Sequence, residues 1–445
     1  MVTHTAADPT TAADFGQTDA DAAAEAVSGT RPKVRLITEF VTQIGTLERA
    51  ETAWRSLAGR ALVPNANYGP GALIPTFRHF AAEQPGAGCI LVWHGHDRLV
   101  GLMPCRRPRL RWGVPLPTLV NWALPHMPLG VPLLDRDCAE EALTAILAEA
   151  RRQAGPAGVL ILEEIDGVGP FRALLDRVLA KGRHPSSVPF AFERAAFVPE
   201  QSFDVYQRLH YKSKTRQTYR RKRKKLAEIG HLETIFLDRW EDIAQELDIF
   251  LTLEGSGWKR REGTAMICDP RWQAWHHDVV RNGAGDGACL FAALKLDGQM
   301  IAGAVVDWRT TTAELGKIAY DESYARYSPG GLLTLDILER ISEHDYQMRV
   351  RRRPGLEMFD SGARPDNETL YAQFKQRRPI EHRIIGLAPG MGRWRFAPLA
   401  LIESMRRKAI PYIRTILKTV GPHAKTALNR LVPHATSALN RLRRI

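Results

Sequence analysis

The fold is decided by the segment Glu314-Leu-Gly-Lys-Ile-Ala-Tyr320-Asp-Glu-Ser-Tyr-Ala-Arg326-Tyr-Ser-Pro329-Gly330-Gly331, which is followed by Leu-Leu-Thr-Leu-Asp-Ile-Leu. The pattern predicts a strand that ends in a glycine-rich turn and leads directly into an apolar helix. Because glycines lack side-chain bulk, backbone N–H groups there can approach a phosphate, and the helix N-terminus adds unpaired donors and partial positive charge. We therefore predict that this turn binds a phosphorylated cofactor. A plain strand-to-helix connection is the alternative.

Four residues of this turn are the predicted cofactor-binding residues: Arg326, Ser328, Gly330 and Gly331. The arginine can pair with a phosphate oxygen, although a solvated loop arginine would look the same in the sequence.

Bulk properties limit the class of protein. A chain of 445 residues predicts two domains plus tails, and a net charge of +13 favours phosphate-bearing cofactors, polyanions or acidic lipid headgroups as ligands. The five cysteines form no CxxC pair, so neither a zinc site nor a disulfide framework is predicted. The acidic N-terminus does not resemble a signal peptide and no apolar run is long enough to span a bilayer, so we expect a cytoplasmic protein whose membrane contact, if any, is peripheral.

Strand and helix patterns alternate twice along the chain, which predicts a tandem pair of α/β (α+β) domains with mixed sheets. An apolar hairpin at 89–105 in the first half corresponds to one at 290–308 in the second. The predicted segments are a disordered leader (1–32), a first domain (33–200), a second domain (201–395) and a basic tail (396–445).

The tail repeats every eleven residues, with Pro411, Pro422 and Pro433 opening the copies. Each copy predicts a short helix with proline in its first turn. Two interpretations remain open: a poorly ordered appendage, or a basic amphipathic segment on an anionic membrane surface.

The densest positive charge runs from Lys212 to Lys225, with Tyr211 and Tyr219 interleaved. Such a run is typical of a solvated helix face. It can also clamp an anionic substrate or the phosphates of a cofactor, or contact nucleic acid.

Several segments together resemble the GNAT-type acyltransferases of the CelD or BcsL group, which are linked to bacterial cellulose and exopolysaccharide formation. The resemblance rests on 213–230, 254–264, 317–330 and Asp360-Ser-Gly-Ala363. It implies a GNAT fold in the second half, with the pyrophosphate of acetyl-CoA or another acyl-CoA at the turn that opens the third helix, and a degenerate GNAT-like first half. The FemABX transferases share this doubled design. The spacing in Arg326-Tyr-Ser-Pro-Gly-Gly departs from the usual pyrophosphate loop.

Acyl transfer needs a base for the incoming nucleophile and a proton donor for the departing thiolate. Acidic and basic candidates cluster at strand ends, among them Glu314 and Lys317. We predict three catalytic residues: Asp360 as base or substrate holder, Tyr320 as donor, and Lys259 in a segment that lines the pocket. Alternatively, Tyr320 is a half-buried strand aromatic and Asp360 caps a turn.

The expected function is transfer of an acetyl or longer acyl group from CoA to an amine or hydroxyl of a sugar, lipid-linked or peptide acceptor. One alternative is a FemABX-like transferase dependent on aminoacyl-tRNA, the only case in which a nucleic acid partner is expected. Another is a non-catalytic scaffold on a membrane surface.

Overall fold

The computed structural model describes residues 36–419, apart from 110, 112–115, 123, 125, 156–157, 262, 264, 309–310 and 351–354. The predicted leader at 1–32 and the repeats that begin at Pro422 and Pro433 therefore lie outside the described residues.

Within this part of the chain, thirteen strands form one mixed sheet in the order β1-β2-β3-β4-β6-β13-β7-β12-β11-β10-β9-β8, and β5 pairs with β3. The strands are β1 (Leu36–Val41), β2 (Gly88–His94), β3 (Arg98–Arg106), β4 (Thr118–Asn121), β5 (Leu133–Leu134), β6 (Val159–Asp166), β7 (Ser186–Phe197), β8 (Leu232–Leu237), β9 (Cys289–Leu296), β10 (Gln299–Asp307), β11 (Thr312–Tyr320), β12 (Met358–Asp360) and β13 (Gln376–Gly386).

Helices cover both faces of the sheet. They are α1 (Ile44–Arg49), α2 (Glu51–Arg60), α3 (Pro70–Phe80), α4 (Ala139–Ala154), α5 (Pro170–Lys181), α6 (Phe203–His210), α7 (Ser213–Ala227), α8 (Trp240–Ser256), α9 (Trp258–Arg261), α10 (Pro270–Gly285), α11 (Pro329–Val350), α12 (Glu368–Gln373) and α13 (Arg393–Thr419). None of the helices in the described residues is both long and apolar enough to cross a bilayer.

The two halves of the chain complete each other's part of the sheet. Strand β7 of the first half pairs with β12, where Phe197 lies opposite Phe359. Strand β13 of the second half inserts between β6 and β7 and pairs antiparallel with both. Strand pairing therefore crosses the predicted boundary at residue 200 in both directions.

The structure confirms the predicted mixed α/β class, and it has strands at both predicted hairpins and a strand and a helix on the two sides of the glycine turn. Strands β4, β5 and β8 were not predicted, and β5 has only two residues. Strand β4 has only four residues, and β8, Leu-Glu-Thr-Ile-Phe-Leu, lacks a clean alternation. The tail prediction was wrong at Pro411, where no new helix begins, because α13 already runs through this residue. Extending a formed helix requires no new nucleus, whereas a separate short helix does.

Two apolar cores lie on opposite faces of the second half of the sheet. We call the face covered by α3, α8 and α10 the tryptophan face, because Trp54, Trp122 and Trp275 belong to its core. The opposite side, covered by α6, α7 and α11, is called the α11 face.

Candidate active site

A gap opens between β11 and β12 in the middle of the sheet. These parallel strands pair only from Thr312 to Glu314, whereas β11 continues to Tyr320 and pairs with β10 on its other edge. Beyond Glu314, the edge of β11 that faces β12 has no neighbouring strand in the sheet of the described residues. An edge without a strand partner is a place where an extended ligand can add to a sheet.

A β-bulge lies at the point where this gap begins. Lys317 lies opposite Val305 and Leu315 lies opposite Val306, so Gly316 is the extra residue. The bulge places Glu314 and Lys317, three residues apart, on the same tryptophan face. Strict alternation would have placed them on opposite faces, and only the glycine inside a strand pattern signals the exception.

Glu314 is a buried carboxyl group whose pKa is close to neutral. Burial raises its pKa to about 7; the nearby Asp360 carboxylate adds to this rise, and Arg378 opposes it. Its Oε2 accepts a hydrogen bond of 2.9 Å from Nδ2 of Asn67, a residue of the first half. The group is therefore poised to exchange a proton near pH 7.

Glu314 faces a small cavity of about 50 Å³, which His126 and His276 also line. This volume is enough to hold a few water-sized atoms. Burial lowers the pKa of His276 to about 3, helped by the charge of Lys317, and it also lowers the pKa of His126. Both imidazoles are therefore neutral, and the buried Nε2 of His276 has no hydrogen-bond partner among the described residues.

A buried ionic cluster lies beside this cavity on the same face. The Glu254 carboxylate is 2.6 Å from Nζ of Lys317 and 3.3 Å from Nζ of Lys259. Burial lowers the pKa of Lys317 to about 8. The Glu254 carboxylate opposes this fall, and the positive charge of Lys259 adds to it. Lys317 can therefore give up a proton at a pH where an ordinary lysine cannot.

The predicted residue Lys259 reaches the open edge of β11, where its Nζ donates to the carbonyl of Ile318 at 2.9 Å. The N–H of Asp321 donates to Ile301 in β10, so antiparallel alternation directs the Ile318 carbonyl away from β10. Lys259 thus lies in the gap between β11 and β12.

The glycines of the predicted phosphate turn lie inside the first turn of α11 rather than before it. A side chain at Gly330 would meet the Tyr320 ring at 3.2 Å, and one at Gly331 would meet Tyr219 and Gln373. Gly330 therefore allows close packing of the Tyr320 ring, a role that the sequence did not indicate, whereas the contacts of a side chain at Gly331 would be ordinary van der Waals distances. Tyr320 itself lies on the α11 face, at the helix N-terminus.

A lysine from the basic run is brought to this helix end. Nζ of Lys222 donates to Oγ of Ser328 at 2.6 Å, and Ser328 has a left-handed backbone with φ of 55°. Arg326 is exposed, with its guanidinium 4.7 Å from the centroid of the Tyr327 ring. Together with the unpaired N–H groups of the first helical turn, these cations can hold an anion.

Asp360 has an environment different from that expected of a base. It is fully buried, 2.8 Å from Nη1 of Arg378 and 3.2 Å from Nη1 of Arg194, and it accepts from the N–H of Gly362. Burial alone would raise its pKa, but these three partners hold it below its usual value. This environment favours a structural role for Asp360, as an ion pair that joins β12 to β7 and β13.

Of the three predicted catalytic residues, Tyr320 belongs to β11 and Lys259 bonds to the Ile318 carbonyl of the same strand. Asp360 lies on β12, opposite Glu314. Sequence reasoning missed Glu254, Asn67 and Lys222 as individual site residues. No local signal could have found Asn67, because it lies 247 residues from its partner Glu314.

We expect Asn67→Leu to raise the pKa of Glu314. The amide donor stabilises the ionised carboxylate, and a hydrogen bond to a charged group contributes about 1.5–3 kcal/mol, so the rise should be about one to two pH units. Carbon-13 NMR of the glutamate carboxyls, with Glu314→Gln for assignment, measures it. The matched control is Asn282→Leu, which removes a bond from α10 to the carbonyl of Gly71 and should leave this titration unchanged. An unmoved pKa in Asn67→Leu would show that the bond has no electrostatic effect.

Part of the chain matches a known protein family. Residues 213–362 match the family model described as an acetyltransferase (GNAT) domain. No curated protein matches the sequence.

Solved structures with a similar backbone include FemX (12% identity, 79% of this chain and 98% of that chain, TM-score 0.49). A second is the C-terminal domain of a protein named as a lysylphosphatidylglycerol synthetase of Agrobacterium fabrum (13% identity, 80% of this chain and 96% of that chain, TM-score 0.48). A third is a tandem GNAT protein from the clavulanic acid biosynthesis pathway (15% identity, 79% of this chain and 99% of that chain, TM-score 0.37). The matched family segment contains β11 with its bulge, the gap beside it, the first turn of α11 and Asp360. Residues 213–362 therefore match a GNAT-type acetyltransferase domain, and this match makes the chain an enzyme of the acyltransferase class.

Proposed function

We propose that this enzyme transfers an acyl group from acyl-CoA to an amine or hydroxyl, with Glu314 as the base. The observation that carries the proposal is a buried carboxyl group with a pKa near 7 at the apex of the gap between β11 and β12. Acyl-CoA supplies the acyl group as a thioester. Glu314 accepts the proton of the acceptor nitrogen or oxygen as the new bond to the acyl carbon forms and the carbon–sulfur bond breaks.

Two further residues of β11 are proposed to act where the CoA thioester binds and its thiolate leaves. Lys317 lies on the same face as Glu314, and its lowered pKa suits donation of a proton to the departing thiolate. Tyr320, the donor predicted from the sequence, lies on the α11 face at the helix N-terminus, where it packs against Gly330. We assign Tyr320 to the cofactor side and Lys317 to the proton transfer.

The cofactor side of the proposal uses the N-terminus of α11. Lys222, Ser328 and the first-turn N–H groups would hold the diphosphate, and Arg326 lies within the same segment. The open edge of β11 would pair with the amides of the pantetheine arm, with Lys259 at the Ile318 carbonyl. The acyl group would then lie near Gly316 and Glu314.

The acceptor is proposed to be an amine or hydroxyl of a sugar, a lipid-linked intermediate or a peptide. A place in exopolysaccharide or cellulose formation rests on the resemblance to the CelD or BcsL group and stays a prediction.

Acetyl-CoA or CoA is expected to raise the melting temperature of the protein. Ligand at a hundred times its dissociation constant stabilises the native state by about 2.7 kcal/mol. Gly330→Asp should abolish the shift, because it adds a repelling charge at the helix N-terminus. This variant also crowds Tyr320, so Lys222→Gln serves as a milder test. Lys224→Gln, exposed on the same helix, is the matched control. A melting curve unchanged by millimolar cofactor would overturn this assignment.

The exposed cations of the basic run support a second candidate, a transferase dependent on aminoacyl-tRNA. Lys222 and Arg223 point inward to Ser328 and Asp336, whereas Lys212, Lys214, Arg220, Arg221, Lys224 and Lys225 are exposed. Two results together would favour this candidate: binding of tRNA that weakens steeply as salt is added, and a melting temperature that CoA does not change.

A further inference from the structure

Helix α13 presents large apolar side chains to solvent. Trp394 is 73% exposed, and Leu401 and Met405 are each 61% exposed. Their spacing of seven and four residues places them on one face of the helix. Ile402 adjoins this face and is 40% exposed. We call these four residues the apolar stripe.

The opposite face of α13 is buried and partly charged. Phe396 packs against Val120 and Ile384 of the sheet. Glu403 is fully buried, 2.7 Å from Nη2 of Arg111, and it also pairs with Arg407. A surface helix ordinarily turns its apolar side inward and its charges outward, whereas α13 buries Glu403 and Arg407 and exposes the apolar stripe. The buried ion pairs fix this orientation, so the apolar stripe is held outward.

The exposed charges of α13 beside the apolar stripe, Arg395 and Lys408, are both positive. Glu403 is the only carboxylate among the 27 residues of α13, and it is buried. The guanidinium of Arg395 lies 4.6 Å from the centroid of the Trp394 ring, and Lys408 is exposed at the other end of the stripe. The surface that covers the stripe must therefore accept apolar side chains and carry negative charge.

Charge also decides between the possible occupants. A second copy of the chain would place one cationic helix against another. The last part of the chain, 420–445, contains no aspartate or glutamate, so its charge does not complement α13 either. An anionic lipid surface meets both requirements, because its headgroups pair with arginine and lysine while its interface takes up tryptophan, leucine and methionine.

We propose that α13 docks this enzyme on an anionic lipid bilayer through the apolar stripe. Trp394, Leu401 and Met405 enter the headgroup boundary, and Arg395 and Lys408 contact lipid phosphates. The contact lies N-terminal to the repeats at 411–442 that the sequence singled out, and it does not depend on the acyl transfer reaction.

Sedimentation of the full chain with lipid vesicles tests the proposal. Vesicles with roughly one third phosphatidylglycerol in phosphatidylcholine should carry the protein down, whereas pure phosphatidylcholine vesicles should not, and added salt should weaken the binding. Leu401→Glu/Met405→Glu should lower the vesicle affinity about tenfold or more. The matched control is Leu209→Glu on α6, a leucine that is 64% exposed, which should bind like the parent.

Two results would overturn the proposal. One is equal vesicle binding by the parent and Leu401→Glu/Met405→Glu. The other is self-association of the parent, seen by analytical ultracentrifugation without lipid and lost in the same variant, which would assign the stripe to a second copy. Unchanged melting temperatures in both variants would show that the substitutions act on the surface alone.

Discussion

Glu314→Gln is expected to lower kcat for acyl transfer by about 10²–10⁴-fold, the usual contribution of a general base. Glutamine keeps the size of the side chain but cannot accept the proton of the acceptor. In the parent enzyme, the rate should rise with pH through a pKa of about 7, because only the ionised carboxylate acts as base, and it should fall above a pKa of about 8, where Lys317 loses the proton that it donates. In the variant this acidic limb should disappear. Steady-state kinetics from pH 5.5 to 8.5 measure both effects.

The same variant should gain stability, which separates a catalytic role from a structural one. The folded state raises the pKa of Glu314 from 4.5 to about 7, so it binds this proton more tightly than the unfolded chain does. Its free energy of unfolding therefore falls as the pH rises between these values, by about 3 kcal/mol in total. Glu314→Gln should be more stable than the parent at pH 8 and similar at pH 5, as urea denaturation can show. A variant that loses both activity and stability would contradict the role of base.

Asp360→Ala is expected to have the largest effect on stability. It leaves the guanidinium groups of Arg194 and Arg378 buried without their shared carboxylate. Removal of one partner from a buried ion pair costs about 3–5 kcal/mol. These arginines join β7 and β13 to β12, so the loss should affect both halves in one unfolding transition, measured by urea denaturation at pH 7.

A surface ion pair provides the control for this prediction. Asp204→Ala removes the exposed partner of Arg208 on α6 and should cost less than about 1 kcal/mol. Asp360→Ala should also lower the pKa of Glu314, because the Asp360 carboxylate helps to raise it. A stability change below about 1 kcal/mol, together with loss of the acidic limb of the rate profile, would instead support Asp360 as the base.

The apparent duplication of the sequence did not reveal how its halves are joined. Hairpins such as β2–β3 and β9–β10 could be predicted because each depends on alternation within a few residues. The insertion of β13 between β6 and β7 depends on pairing across roughly two hundred residues, for which the sequence has no local signal.

The sequence by itself determined the strand and helix around the glycine turn, the α/β class and the basic character of residues 212–225, because each follows from periodicity or composition over short distances. Only the tertiary structure decided which side chains have pKa values that allow proton transfer near pH 7. The bulge at Gly316 placed Glu314 and Lys317 on the same face of the sheet, and Asn67 reached Glu314 from the other half of the chain. The physical reason is that a pKa depends on burial and on nearby charges, which are properties of packing between distant segments.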